Sequence, residues 1–273
     1  MAARRDAAKM ANSEYTRALP KGDLVSDVLA GRKQLVWARA TYAYDEPDKA
    51  QIARDGERRK FMWHRVAQAA EDAQHELIII SPYLVPSNSE LRLLRRLRER
   101  GVRVRILTNS LASTDMPIAH AGYIHSRLPL LEAGCELSEV RPLLGQPETE
   151  HGLIKSGSSE HFGLHAKVFV IDRQRVFVGS MNFDRRSLAV NTEIGVIIDS
   201  PELAKLIAAR FEAIARPENS YRLELEPAGE GYNLRWITDV NGKEVSFHDE
   251  PDVDAGKRAL IQMLSLLPID SLL

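Results

Sequence analysis

Two ionisable residues, His165 and Lys167, stand one residue apart at the head of the apolar run Val168-Phe169-Val170-Ile171. A strand bound for a protein interior has no structural need for an imidazole and an ammonium group, both of which prefer water. Asp172 follows, and a second apolar run, Val176-Phe177-Val178, ends in Gly179-Ser180-Met181-Asn182. A third run begins Asn191-Thr192-Glu193-Ile194, so a carboxylate is buried near its start. A carboxylate bonded to one imidazole nitrogen fixes the tautomer and raises the basicity of the other. The free nitrogen then serves as nucleophile or as general acid or base. A lysine ammonium and an asparagine amide beside it offer charge and N–H donors to the oxygens of a tetrahedral phosphate. The set suits phosphodiester chemistry better than acyl transfer. It needs no metal and no cofactor, because Lys167 supplies the charge and His165 the nucleophile.

Other chemistries fit less well. Ser180 as a nucleophile would need the strained elbow of the hydrolases, and its surroundings lack that motif. A zinc site from His151, His161 and His165 has a four-residue spacing between the last two, but in a loop-to-strand transition rather than on a helix. Taken singly, a buried histidine is an ordinary core residue and a strand-end lysine reaches back to water. Their combination on adjacent strand ends is what carries the chemical reading.

Strand geometry positions the pair. Side chains at i and i+2 lie on one face, roughly 6–7 Å apart along the strand, so His165 and Lys167 aim at one spot. Asp172 has the opposite parity and sits at the turn Asp172-Arg173-Gln174-Arg175, outside the histidine's immediate shell. Upstream, Met62, Val66 and Ala69 share one face of a helical pattern running from Arg58 to about Gln74. Leu77 to Ile80 reads as a buried strand, and Ser81-Pro82-Tyr83-Leu84-Val85-Pro86 as a loop. A helix is expected from Glu90 to Arg100, with Leu91, Leu94 and Leu97 on one face and Gly101 stopping it. A strand over 102–107 and a helix ending at Ala133-Gly134 continue the rhythm of an α/β sheet with helices packed on it. The arginines at 92, 95, 96, 98 and 100 read as a solvated face, since Glu90 and Glu99 are mixed among them. Residues 141–163 form a long loop poor in apolar anchors, which inside a compact domain signals function.

Composition narrows the class. The chain has 273 residues, room for one large domain or two small ones, and a net charge of −1 that gives no pull toward nucleic acid. Cys135 is the only cysteine, which excludes an internal disulfide and a multi-cysteine metal site. No apolar run approaches the ~20 residues of a membrane span, and Met1 to Asp6 lacks the apolar core of a signal peptide. These features lead to the expectation of a soluble, intracellular protein.

The spacing also resembles a known family. His165-Ala166-Lys167, four residues, Asp172, then Gly179-Ser180-Met181-Asn182 and Asn191-Thr192-Glu193 look like the HKD signature of the phospholipase D superfamily. Ser81 to Pro86, Leu107-Thr108-Asn109-Ser110 with Asp115, Ala121-Gly122-Tyr123, Leu130 to Gly134 and the ending Leu267 to Leu273 resemble its bacterial cardiolipin synthase branch. The resemblance implies an α/β fold, a phospholipase D-like mixed β-sheet flanked by helices, and phosphatidyl transfer through a phosphohistidine. It implies His165, Lys167, Asp172 and Glu193 as catalytic residues, with Glu193 orienting His165, and Lys167, Ser180 and Asn182 on the substrate phosphate. The implied substrates are phospholipids, phosphatidylglycerol and also phosphatidylethanolamine, met peripherally at the inner membrane surface from the cytoplasmic side. Nucleic acid is not an expected partner, although a homodimeric HKD nuclease and a silent half that only binds lipid or a partner chain remain as alternatives. Such enzymes carry two HKD motifs in one chain, and only one occurs here. Asn12-Ser13-Glu14-Tyr15 resembles the tail of a first half, and Asp45-Glu46-Pro47-Asp48-Lys49 the connector after it. The chain is therefore read as a C-terminal half that needs a second HKD half. Its expected parts are a remnant and connector over 1–55, the HKD domain over 56–221, and a β-hairpin and helix extension over 222–273.

Overall fold

The computed structural model describes residues 27, 30, 35–49, 61–142, 163–229 and 231–267. Most of the 141–163 loop, His151, His161, the Asn12–Tyr15 segment and the residues after Leu267 lie outside that set.

The central strand is β2 (Glu76–Ile80), and every one of its residues is buried. Its apolar run is continuous because both faces of the sheet are covered. Leu77 and Ile79 enter one core with Met62 and Val66 of helix α1 (Met62–Glu71) and with Leu93, Leu94 and Leu97 of α2 (Asn88–Glu99). Ile78 and Ile80 enter a second core with Leu107 and Val170, closed by Ala204, Ala208 and Phe211 of a helix that follows the HKD segment. Each fully buried Leu or Ile contributes about 1.5–3 kcal/mol. α2 begins two residues earlier than expected, because Ser87 and Glu90 form a reciprocal capping box. Leu93, Leu94 and Leu97 are buried in the core, and Leu91 is half-buried against it. Gly101 follows the helix with φ +84°, as the expected stop. The neighbouring arginines are mostly exposed, and Arg96 and Arg100 tie α2 to the end of α1 at Glu71 and Ala73.

From β3 (Leu84–Val85) and α2 the chain returns to β4 (Arg103–Asn109), which lies parallel to β2. It then crosses through α3 (Pro117–Glu132) to β5 (Glu136–Val140), parallel to β4. On the other side of β2 the HKD segment supplies antiparallel strands: β6 (Val168–Ile171), β7 (Arg175–Gly179) and, after β8 (Phe183–Asp184) and α4 (Arg185–Ala189), β9 (Ile194–Asp199). β1 (Arg39–Tyr44) pairs with β9 at that edge. Helix α5 (Pro201–Ile214) closes the second core, and β10 (Ser220–Ala228), β11 (Gly231–Val240) and β12 (Lys243–Phe247) extend the sheet beyond β5. The chain then enters α6 (Ala255–Ser265). Among the described residues the result is one ten-stranded mixed sheet in the order β1-β9-β7-β6-β2-β4-β5-β10-β11-β12, with helices on both faces, as the α/β reading requires.

Buried charges join the parts. Arg127 of α3 donates to Glu139 of β5 at 2.8 Å and to Glu250, ahead of α6, at 2.6 Å. Trp236 of β11 donates to the same Glu139 at 3.0 Å, so the C-terminal strands are tied into the main sheet. At the opposite edge Lys49 is only 1% exposed. Its ammonium donates to Asp45 at 2.7 Å and to the carbonyls of Ser187 at 2.8 Å and Asn191 at 2.7 Å. Asp45 in turn accepts the backbone N–H of Met62 at 2.8 Å, opening α1, and of Glu193 at 3.0 Å.

Asp172 has a comparable role at a turn. It and Arg173 adopt φ of 51° and 52°, and the Gln174 N–H donates back to the Ile171 carbonyl, closing the β6–β7 hairpin. The Asp172 carboxylate accepts the N–H groups of Gln74, His75 and Glu76, each at 2.8 Å, and so fixes the entry to β2. Burial pushes its carboxyl up, but those backbone donors outweigh burial and hold it below the ordinary aspartate value.

Two outcomes follow for stability. Lys49→Met should lower the unfolding free energy by about 3–5 kcal/mol, the cost of leaving one member of a buried pair alone, as read from urea midpoints. The double variant Asp45→Asn/Lys49→Met should lose less than the sum of the two single losses; strict additivity would show the pair to be uncoupled. For Asp172, a folded-state pKa below the unfolded one means that its stabilisation is complete above the unfolded value, near 3.9, and fades as pH falls through the folded one. Asn tolerates the left-handed turn, so Asp172→Asn should cost about 1–3 kcal/mol at pH 7. The gap from the parent chain should narrow at pH 3, and a gap that stays constant with pH would refute the carboxylate's role.

Candidate active site

Of the residues named for phosphate chemistry, His165, Lys167, Ser180, Asn182 and Glu193 stand at one edge of the sheet, and Asp172 does not. That edge holds the C-terminal ends of β2, β4 and β7 and the N-terminal ends of β6 and β9. In sheets of this class ligands bind outside the carboxyl ends of the parallel strands. Asp172 lies at the far end of β6, where its three backbone bonds engage it structurally. That is the hairpin turn expected over 172–175, and the catalytic role that the resemblance implies for Asp172 does not correspond to proximity to His165 or Lys167.

His165 and Lys167 precede β6 rather than opening it, since the ladder with β2 begins at Val168. The segment is held by a side chain instead. The buried Asn109 amide donates to the Leu164 carbonyl at 3.0 Å and accepts the Leu164 N–H at 2.8 Å, a two-point clasp that sets the residue next to His165. A further backbone bond, from the Gly179 N–H to the Lys167 carbonyl at 3.2 Å, fixes the other side. His165 is exposed, and among the described residues its imidazole has no hydrogen-bond partner. Its ring stands edge-on to Tyr83, with centroids 6.4 Å apart. The Lys167 ammonium donates to the His165 carbonyl at 2.9 Å and lies 5.9 Å from the centre of the same Tyr83 ring. Burial lowers the Lys167 pKa, and Asp115, Glu193 and Asp184 oppose the shift without cancelling it.

Gly179 and Gly195 face each other across β7 and β9, and the Phe177 ring covers both. A Cβ at Gly179 would stand 2.6 Å from the Ile194 carbonyl oxygen, so only glycine allows this approach. It brings Ser180 beside the start of β9. The Ser180 N–H donates to the Ile194 carbonyl at 2.9 Å, and the Ser180 hydroxyl donates to the buried Glu193 carboxylate in a short hydrogen bond. Here the structure departs from expectation. Glu193 is engaged by Ser180 across the strand ends, and no hydrogen bond joins it to His165. The Asn182 side-chain oxygen is buried without a partner, and the Asn182 backbone N–H donates to the Ser187 hydroxyl at 3.2 Å. The segment is locked to the Tyr83 loop by the parallel β3–β8 pair and by Ser81, whose hydroxyl accepts the Phe183 N–H at 3.0 Å.

Sequence reasoning did not assign roles to Asn109, Tyr83, Asp115, Asp45 or Lys49. The first three stand in segments quoted for the family resemblance, and the last two in a stretch read as a connector. Asn109 ends an apolar strand and Tyr83 follows one within three residues, Asp45 opens the turn Asp45-Glu46-Pro47-Asp48 with Lys49 next to it, and no local signal marked Asp115. Among the described residues no group of three or more His, Cys, Asp or Glu could hold a metal ion. Two of the three histidines weighed for zinc, His151 and His161, lie outside those residues.

Comparison with known proteins agrees with this architecture. Residues 66–215, more than half of the chain, match the family described as cardiolipin synthase, PLD-like domain. Cardiolipin synthase C of Escherichia coli K12 is 34% identical over 259 residues, 95% of this chain and 53% of that protein. Cardiolipin synthase A of Buchnera aphidicola subsp. Schizaphis graminum is 31% identical over 147 residues, covering 52% of this chain and 25% of that protein. The chain thus spans about half the length, or less, of these relatives. The crystal structure of phosphatidylserine synthase from Haemophilus influenzae shares the fold, with a TM-score of 0.51 at 12% identity over 85% of this chain and 46% of that one. The HKD spacing in the sequence, the fold and the match over 66–215 lead to one conclusion: the chain belongs to the phospholipase D superfamily, in its cardiolipin synthase-like family.

Proposed function

We propose that this chain contributes one HKD half of a phosphatidyltransferase site that acts on phospholipid phosphodiesters. The observation that carries the reading is the sheet edge itself. An imidazole without a partner among the described residues stands there beside a lysine, with Ser180, Asn182 and Glu193 on the neighbouring strand ends. In the proposed reaction a His165 ring nitrogen attacks phosphorus, a P–N bond forms, and the P–O bond to the leaving alcohol breaks. The leaving oxygen takes a proton from a general acid opposite the nucleophile. An acceptor hydroxyl then attacks phosphorus, its proton passes to that same group, and the P–N bond breaks. With the hydroxyl of a second phospholipid as acceptor the product is a cardiolipin-type diester; with water it is the hydrolysed lipid. Lys167 and the Asn182 amide are assigned to the phosphate oxygens, where positive charge and N–H donors match the charge of the transition state. Glu193, held by Ser180, is assigned to balancing the positive charge at Lys167.

A single HKD motif supplies either the nucleophile or the acid, and we assign the missing role to a second HKD half. Its seat is the site-side face of the β1–β9 edge, where Tyr42 is 67%, Tyr44 51% and Ile194 60% exposed. Large exposed apolar groups clustered beside a functional site mark contact surfaces. Among the described residues no helix is long and apolar enough to cross a membrane, and the proposed approach to lipid is peripheral, at the cytoplasmic face of the inner membrane.

The test is an assay with phosphatidylglycerol and phosphatidylethanolamine vesicles, with the chain alone and with a separate polypeptide that carries an HKD first half. The chain alone should give negligible turnover, and the pair should give transfer to the lipid hydroxyl. His165→Ala should reduce the activity of the pair by about 10³-fold or more, since members of a catalytic unit act together. Robust turnover by a demonstrated monomer, lost in His165→Ala, would overturn the half-site reading. Turnover unaffected by His165→Ala would overturn the assignment of the nucleophile.

A further inference from the structure

The phosphate-binding reading leaves one pair of side chains at the same edge without a role. Tyr83 follows β2 and Asp115 follows β4, so both rise from the carboxyl ends of adjacent parallel strands. The Tyr83 hydroxyl donates to the Asp115 carboxylate at 3.1 Å. Its ring is the surface against which His165 stands edge-on and over which the Lys167 ammonium lies. Burial, then the neighbouring Asp115, pushes the Tyr83 hydroxyl up to about 12, so at neutral pH it remains an O–H donor. Asp115 is exposed and exerts the largest carboxylate attraction on Lys167.

A carboxylate bonded to the tyrosine that also meets His165 and Lys167 is electrostatically wrong for a phosphate bound beside them. Two neighbouring anions repel, and Lys167 offers one positive charge against several negative ones. The arrangement makes sense if Asp115 meets another part of the substrate. Tyr83 donates to one of its oxygens, Oδ1, and leaves Oδ2 with no protein donor among the described residues. An acceptor next to a phosphate site, oriented by a buttressing phenol, fits the alcohol side of a phosphodiester where that alcohol carries hydrogen-bond donors.

We infer that Asp115, oriented by Tyr83, selects the headgroup alcohol of the substrate through donors that the alcohol presents, either hydroxyls of the glycerol type or an ammonium group. The inference rests on the phosphate-site reading above and extends it from the phosphate to the alcohol. Asp115 is a specificity residue, and Tyr83 is a positioning residue that acts through it.

The test measures binding of three phosphate monoesters to the 273-residue chain by calorimetry at low ionic strength. Glycerol 3-phosphate carries a diol, phosphoethanolamine an ammonium group, and ethyl phosphate neither. The parent chain should bind one of the first two at least about tenfold tighter than ethyl phosphate, as one hydrogen bond to a charged group allows. Which of the two is preferred identifies the donor as hydroxyl or ammonium. Asp115→Ala should abolish that preference while ethyl phosphate binds as well as before or better, because a repelling charge has gone. Tyr83→Phe, which keeps the ring and loses the hydroxyl, should reduce the preference by a few-fold and leave ethyl phosphate unchanged. Lys167→Met should weaken all three ligands alike. Equal loss of all three in Asp115→Ala, or a parent chain that binds all three equally, would overturn the inference and leave the phosphate site standing. A parent chain that binds none of them would overturn the phosphate-site reading, and this inference with it.

Discussion

The Lys49 ammonium has almost no access to water, yet one carboxylate and two carbonyl oxygens surround it. Removing a charge from water costs several kcal/mol, and the cost is recovered only when its hydrogen bonds are complete and its counter-charge close. The Asp45–Lys49 pair meets both conditions by drawing on three separate parts of the chain. Asp45 starts α1 through Met62 and grips the backbone of Glu193, while Lys49 holds the turn between Ser187 and Asn191. The segment that carries β1 is thereby fastened to the residues that bring Glu193 and Ser180 together. This clasp lies ahead of residue 66, where the family match begins, so the site depends on chain that the matched domain does not include.

The site edge follows from the same economy of polar groups. Strands β2, β4, β6, β7 and β9 are paired with neighbours on both sides, and their ends alone leave backbone and side chains free for a ligand. Asn109 fills one such end by clasping Leu164 at both its N–H and its carbonyl, which is why His165 is positioned although it precedes the ladder. The glycine pair under Phe177 fills another by allowing β7 and β9 to close up beside Ser180. Positive charge at the edge is modest. Lys167 is surrounded by Asp115, Glu193 and Asp184, and burial lowers its pKa despite them.

Local pattern determined much of this protein. The unbroken apolar run at Leu77–Ile80 required a strand covered on both faces, and the structure covers it. The turn residues after Ile171 located Asp172 at a hairpin, at the far end of β6 from His165 and Lys167. The HKD spacing marked the family. The strand and the turn are statements about neighbours in sequence, which local backbone geometry decides. Other features needed the tertiary structure, because they join residues distant in the chain. The Glu193 carboxylate was expected on His165 and is found on Ser180, since the relevant distance is set by the register of β7 against β9 and by a ring lying over two glycines. Tyr83 and Asp115 reach the site because β2 and β4 are parallel neighbours, a fact carried by no local pattern. Lys49 looks in sequence like a solvated connector residue. It is buried because its partners, Ser187 and Asn191, arrive more than a hundred residues later, and only the closed sheet brings them within reach of its ammonium.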